Sequence, residues 1–195
     1  MPSAEASSRL VAPGPAERRR LVAGLGRPPA EAARFLLGKI LVRRAGRGAL
    51  AARIVETEAY LGADDPAAHA YHGRTARTEP LWGPPGTIYV YFIYGMHHCL
   101  NVSVEREGVP GCVLIRAAEP RGRLAPRSLR GPGRLCRTLR LDTSDSGRHL
   151  FDPASRLTLR EGPPPARIGV SVRVGIRQAA DRPLRFFDAE SLEVS

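Results

Sequence analysis

The chain has 195 residues, is 43% hydrophobic and carries a formal net charge of +11. That length and apolar content fit one folded domain with a real core and argue against a disordered chain. No apolar run approaches the ~20 residues a membrane span needs, the first twenty residues lack the apolar stretch of a secretory signal, and the excess of base over acid points to a polyanionic partner, most simply nucleic acid.

Residues 1–20, rich in Ala, Ser, Pro and Arg, read as a flexible tail, and 21–195 as a single domain. The tail and its linker run to about Arg27, with Pro13, Gly14 and Pro15 as helix breakers. In PPAEAARFLLGKILV, prolines precede Ala, Glu and Leu, and Gly38 follows. This pattern predicts a short helix with Phe35 and Leu36 on the core. A strand over 39–43, a turn at 46–48 and a strand over 51–60 then predict a hairpin. Alternate strand residues share a face, so Glu56, Glu58 and Tyr60 point one way and Val55, Thr57 and Ala59 the other. Asp64, Asp65 and Pro66 predict a second short helix, with Asp65 as its N-cap, Pro66 at its first position and His69 near its end. HGRTARTEPLWGPPG is a long polar loop of the kind that carries function in compact domains.

GTIYVYFIYG predicts a strand with Tyr89 and Tyr91 on one face and Tyr94 at the tip beside Gly95. HHCLNVSV alternates Leu100, Val102 and Val104 against Cys99, Asn101 and Ser103. CVLIRAAEP returns as its hairpin partner, with Arg116 near its end, so the strands make a mainly antiparallel sheet. From Arg116 to Arg140 there are eight arginines and a single acid, Glu119. GPGRLCRTLRL predicts a helix started by Pro132 with Leu135 and Leu139 inward, its N-terminus suited to a phosphate. A loop over 144–147, a strand over 167–176 and a last strand at LRFF complete the domain.

Two carboxylates on one strand face are ordinarily surface charges on an edge. The functional alternative is that one activates a water, and spacing does not choose between Glu56 and Glu58. Tyr60, Tyr89, Tyr91 and Tyr94 are ordinary strand core, or a platform for an unpaired base. His97, His98 and Cys99 are adjacent in a strand and face opposite ways, so they do not converge on a metal; HxxxH, HExxH and CxxC are absent. No metal and no cofactor is expected. Asn101 and Arg116 lie on neighbouring strands as a base-edge amide and an anion clamp. Cys99, Cys112 and Cys136 are odd in number and widely spaced, which favours a reducing, intracellular compartment over a disulfide framework.

LLGKILV, RIVETEAYLG, DDPAAHAYHGRT, GPPGTIYVYFIYGMHHCLNVS, CVLIRAAEP and GPGRLC, in that order, resemble the alkyladenine (3-methyladenine) DNA glycosylases. The later RIGVSVRVGI and PLRFF resemble that family's closing strands. The resemblance implies an α+β fold, a single domain with a curved antiparallel sheet surrounded by short helices. It implies base excision from double-stranded DNA by a monomer that flips an alkylated or deaminated purine and hydrolyses its N-glycosidic bond. By position, Glu58 matches the water-activating glutamate and Arg116 a residue that helps hold the water and the DNA backbone. Tyr60, His69, Tyr91 and Asn101 match the base pocket, and Tyr94 the residue that intercalates. Strand nicking needs an amine for a Schiff base; Lys39 is the only lysine and sits in a helix-to-strand turn, so a monofunctional hydrolase is favoured. Such an enzyme belongs in the cytoplasm or nucleoid of a bacterium, or in a eukaryotic nucleus. Two other classes remain at this stage, a non-catalytic nucleic-acid binding module on the same fold and a metal-dependent nucleotide hydrolase.

Overall fold

A computed structural model describes residues 12–46 and 48–195. Its organising element is a long strand, β2 (Gly48–Tyr60), that pairs antiparallel with three others. β5 (Cys112–Arg121) runs along one edge from end to end. The other edge is shared: β1 (Ile40–Ala45) covers its first half and β8 (Arg185–Asp188) covers Glu56 to Glu58. β3 (Ile88–Ile93) and β4 (His97–Ser103) extend the sheet beyond β5, β6 (Leu157–Arg160) extends it beyond β1, and β7 (Ile168–Ser171) pairs with β8. The result is a curled antiparallel half-barrel with helices on its outside, as the α+β expectation requires.

Curvature has a local cause. Between Ile54 and Thr57 the β2–β5 register shifts twice, first by an extra residue on β2, Val55, and then by one on β5, Arg116. Paired irregularities of this kind bend a strand and re-aim side chains. Glu56 and Glu58 nevertheless share a face, because both approach Arg116. The opposite face of β2 packs on α2 (Pro29–Leu36), where the Thr57 hydroxyl donates to the Ala33 carbonyl at 3.0 Å. With both faces covered, β2 is a central strand and not a solvent-exposed edge.

The stretch read as tail holds a helix, α1 (Pro15–Leu25). Pro13, Gly14 and Pro15 do not break it. Gly14 is its N-cap and Pro15 its first residue, where a missing N–H costs nothing. Leu21 and Leu25, four apart, are fully buried, and Glu17 binds Arg160 and the Glu161 amide. Gly24 is needed for this docking, since a Cβ there would lie 2.1 Å from the Phe35 ring. The N-terminal part of the expected tail, residues 1–11, lies outside the described residues, as does Arg47 in the β1–β2 turn.

Two other expectations are corrected, and one strand is added. Residues 64–69 do not form a helix capped by Asp65; two single 3-10 turns flank it, Gly62–Asp64 and His69–His72. Asp65 is extended, as a cap would be, and its Oδ1 accepts from the Ala67 amide at 3.2 Å, but the same buried carboxylate also holds Arg173 and no α-helix follows. The strand expected over 167–176 stops at Ser171, where the chain turns inward to bury that arginine. β6 was unforeseen, although Leu157 and Leu159 alternate as buried residues within it. α3 (Pro132–Leu139) is as predicted, with Leu135 and Leu139 buried.

Candidate active site

Glu58 and Glu56 are both fully buried, at 0% exposure, in a protein rich in arginine. Ionised carboxylates survive burial only when charge and hydrogen bonds replace water, and here the partners are specific. Glu58 Oε1 accepts from the Val174 amide at 2.8 Å and lies 3.4 Å from Arg116 Nη1. Its Oε2 accepts from the Tyr60 hydroxyl at 3.0 Å, its one hydrogen bond among the described residues, which leaves that oxygen with acceptor capacity. Burial pushes the Glu58 carboxyl above the usual carboxylate range, against the opposing pull of Arg116, the Val174 amide and Tyr60; the charge of Glu56 pushes the same way as burial. A carboxylate with a raised pKa and a free lone pair is equipped as a general base.

Glu56 points to the far side of Arg116. It accepts from Arg116 Nε at 3.1 Å, Arg185 Nε at 2.6 Å and the Ser195 amide at 2.7 Å. Arg116 therefore spans both glutamates, its Nη2 also donating to Ser195 Oγ at 3.2 Å.

Beside this pair opens a cavity of about 340 Å³, within the range of small-molecule sites. Tyr60, His69, Tyr91, Tyr94, Asn101 and Arg116 all line it. Six of the seven predicted site residues thus meet on one wall system, and Glu58 lies one layer behind it, bonded to Tyr60 and Arg116. The His69 ring sits edge-on to Tyr91, with centroids 4.5 Å apart, and its Nδ1 is 2.9 Å from the Tyr89 hydroxyl. Burial, and then the charge of Arg77, lower the His69 pKa, so the imidazole is neutral near pH 7. Burial raises the phenol pKa values of Tyr60 and Tyr91 and takes that of Tyr89 to about 12, so all three stay protonated. Asn101 is buried and its Nδ2 donates to the Tyr89 carbonyl at 3.3 Å.

The rim is the β3–β4 hairpin. Tyr94 (φ 55) and Gly95 (φ 67) occupy both central positions of the turn, closed by the Met96 amide on the Ile93 carbonyl. Positive φ at both positions is the hairpin turn that matches strand twist. Glycine takes it freely, but a tyrosine there is strained by about 1–3 kcal/mol. The strain holds out a ring that is 75% exposed, next to Met96 at 69%.

Sequence reasoning missed the segment after β7. Arg173 is buried, pairs through both terminal guanidinium nitrogens, Nη1 and Nη2, with Asp65, donates to the Ala59 carbonyl at 3.1 Å and stacks 4.7 Å from the Tyr60 ring. That anchor places the Val174 amide on Glu58 and puts Val174, Gly175 and Ile176 in the cavity wall. Nothing in the spacing of residues 172–176 signals this, because the partner lies over a hundred residues away. His97, His98 and Cys99 do diverge: His97 is exposed and packs by Gly133, His98 packs on Phe92, and Cys99 faces the cavity. Among the described residues, no helix is long and apolar enough to cross a membrane.

Residues 23–192 match the family described as methylpurine-DNA glycosylase (MPG). Among curated relatives, a protein of Koribacter versatilis (strain Ellin345) is 47% identical over 184 residues, spanning 87% of this chain and 89% of that protein. One of Methanocella arvoryzae is 43% identical over 184 residues, with 87% and 92% covered. One of Anaeromyxobacter sp. (strain Fw109-5) is 50% identical over 162 residues, with 80% and 81% covered. Each of the three bears the name "Putative 3-methyladenine DNA glycosylase". A match across nearly the whole folded region, on top of a buried carboxylate behind an aromatic cavity, leads to one conclusion: the chain belongs to the methylpurine-DNA glycosylase family.

Proposed function

We propose that the protein removes alkylated or deaminated purines from double-stranded DNA. The substrates are 3-methyladenine, 7-methylguanine, hypoxanthine and ethenoadenine. It flips the damaged nucleotide, hydrolyses the N-glycosidic bond and leaves an abasic site without nicking the strand. The observation that carries this reading is Glu58, a carboxylate with a raised pKa, set against Arg116 directly behind an aromatic cavity.

The chemistry follows from the charges. As the glycosidic bond stretches, the sugar becomes cationic, and an anion close by lowers that barrier most when water is excluded. Glu58 supplies the anion and takes the proton of the attacking water. Tyr60, His69 and Tyr91 enclose the base, and a neutral His69 offers a ring nitrogen for hydrogen bonding. Extrusion costs a few kcal/mol, and less for a damaged pair. Tyr94, already exposed on its strained turn, fills the gap and offsets part of that cost. Arginines around the site carry the phosphate contacts. Lys39 is tied to Glu161 at 3.0 Å and packs on Phe35, and it is not part of the cavity wall, which supports a hydrolase that forms no Schiff base.

The test incubates the protein, with a chelator present, on duplexes carrying each of the four lesions, and scores abasic sites by alkali cleavage. Base release that is lost in Glu58→Gln is expected. Release of no base from any duplex by the unmodified protein overturns the proposal. DNA binding without release indicates a binding module, and loss of release on chelation indicates a metal hydrolase.

A further inference from the structure

We infer that Glu56 is a positioning residue: with Arg185 and Ser195 it holds Arg116 back from Glu58 and so keeps Glu58 available to a water. The inference rests on the reading of Glu58 as the base. Its ground is the unequal division of one guanidinium between two carboxylates. Arg116 makes hydrogen bonds through Nε to Glu56, at 3.1 Å, and through Nη2 to Ser195 Oγ, at 3.2 Å. Towards Glu58 it makes only a looser ionic approach, 3.4 Å from Nη1 to Oε1. An arginine free to choose would close a bidentate fork on Glu58, the stronger geometry for a guanidinium and a carboxylate. That fork would occupy the lone pairs a water needs and would hold the carboxylate in its ionised, weakly basic form.

Glu56 prevents this by offering a competing site that is itself rigid. Three donors from three different segments converge on its carboxylate: Arg116 on β5, Arg185 on β8 and the Ser195 amide. Arg185 is fixed in turn by Ser171 Oγ at 2.9 Å, by the Ser195 carbonyl at 3.1 Å and by stacking on Phe187. The double register shift of β2 against β5 leaves Val55 and Arg116 unpaired on either side of the Glu56–Ala117 pair, so the backbone is irregular where this contact is made.

The groups that face Glu58 are few enough to give the sign of each perturbation. From β2 come Tyr60 and Glu56, from β5 Arg116, from β8 Arg185 through Glu56, from β4 Cys99, and from the segment after β7 Arg173, which Asp65 neutralises. Glu56→Gln removes the competitor and a nearby negative charge, so Arg116 closes on Glu58 and the base becomes weaker. Arg185→Met leaves Glu56 with less positive charge, so Glu56 draws Arg116 harder and Glu58 becomes more basic. The two variants therefore move the acid limb of activity in opposite directions. A merely structural role would lower stability in both and move the limb in neither.

The experiment measures single-turnover base release from a hypoxanthine duplex against pH, together with the carboxyl titration of Glu58 by carbon-13 NMR, assigned by its loss in Glu58→Gln. For Glu56→Gln the limb and the NMR midpoint are expected at lower pH by at least about half a unit, with a plateau rate reduced about tenfold or more and an unchanged half-saturation for DNA. For Arg185→Met both midpoints are expected at higher pH. Unmoved midpoints, or movement of both variants the same way, overturn the inference. If Glu56→Gln does not fold, the sign of the Arg185→Met shift decides alone. If the unmodified protein releases no base, the proposed function fails, while the NMR titrations still test the division of Arg116.

Discussion

Replacing Glu58 by Gln tests both the chemistry and the cost of the site. The amide has nearly the shape of the carboxylate and keeps an oxygen to accept from the Val174 amide, now 2.8 Å from Oε1. Arg116 loses one ionic neighbour but keeps Glu56 at 3.1 Å, so no guanidinium is left buried without a counter-charge. A positioned general base contributes about 10²–10⁴-fold, equivalent to about 3–5 kcal/mol of barrier at about 1.4 kcal/mol per decade. Single-turnover release should fall by that factor, with lesion-duplex binding retained. Stability should move the other way. The Glu58 pKa is raised in the fold, so the folded state holds that proton more tightly than the unfolded chain does. Its favourable contribution is complete below the unfolded glutamate pKa and is lost as pH rises through the folded value. Glu58→Gln should therefore match the parent in acid and exceed it in thermal stability near pH 7, the gap opening from the ordinary glutamate pKa upward. Release within tenfold of the parent, or a variant less stable at pH 7, would refute the reasoning.

Asp65→Asn leaves Arg173 buried without its counter-charge, and breaking such a pair costs about 3–5 kcal/mol; chemical denaturation should show that loss, and base release should fall as the Val174 amide loosens from Glu58. In the parent, burial raises the Asp65 pKa but the Arg173 and Leu61 hydrogen bonds outweigh it and hold it below the usual range. Its stabilisation is therefore present above the unfolded aspartate pKa and disappears as pH falls through the lower folded value, which a stability-pH scan of parent against Asp65→Asn reads directly. Tyr94→Ala should weaken binding to a lesion duplex by about 1–3 kcal/mol in a titration, with little effect on a single-stranded lesion that needs no gap filled. Leu135→Ala, at a fully buried position of α3, should cost about 2–5 kcal/mol by thermal or denaturant unfolding.

Much of the site was legible along the chain because strand alternation carries it. Glu58 and Tyr60 lie two apart on β2, and Tyr89 and Tyr91 two apart on β3, so each pair had to share a face whatever else the fold did. Tyr94 beside Gly95 announced its turn through local backbone chemistry. The α3 helix was legible for the same reason, from Pro132 at its start and leucines four apart. Resemblance, rather than spacing, separated Glu58 from Glu56. The structure supplies a physical difference between them: Glu56 accepts from donors on three segments, whereas Glu58 Oε2 accepts, among the described residues, from Tyr60, whose ring lines the cavity.

What the chain could not reveal by itself depends on partners distant in sequence. Asp65 has every local mark of an N-cap and does accept from the Ala67 amide, but the same carboxylate also pairs with Arg173, distant in sequence, and no helix follows. Residues 172–176 have a strand-like pattern, yet burial of that same arginine pulls them out of the sheet and onto Glu58. The prolines before α1 read as a break, yet Pro15 is the first residue of a helix that the burial of Leu21 and Leu25 holds in place. Local sequence set which faces and turns are possible, since alternation, caps and left-handed positions cost or gain energy within a few residues. Tertiary structure decided which carboxylates are buried and how their charge is shared, because the arginines that compensate Glu56, Glu58 and Asp65 come from β5, β8 and the segment after β7, and only the folded chain brings them together.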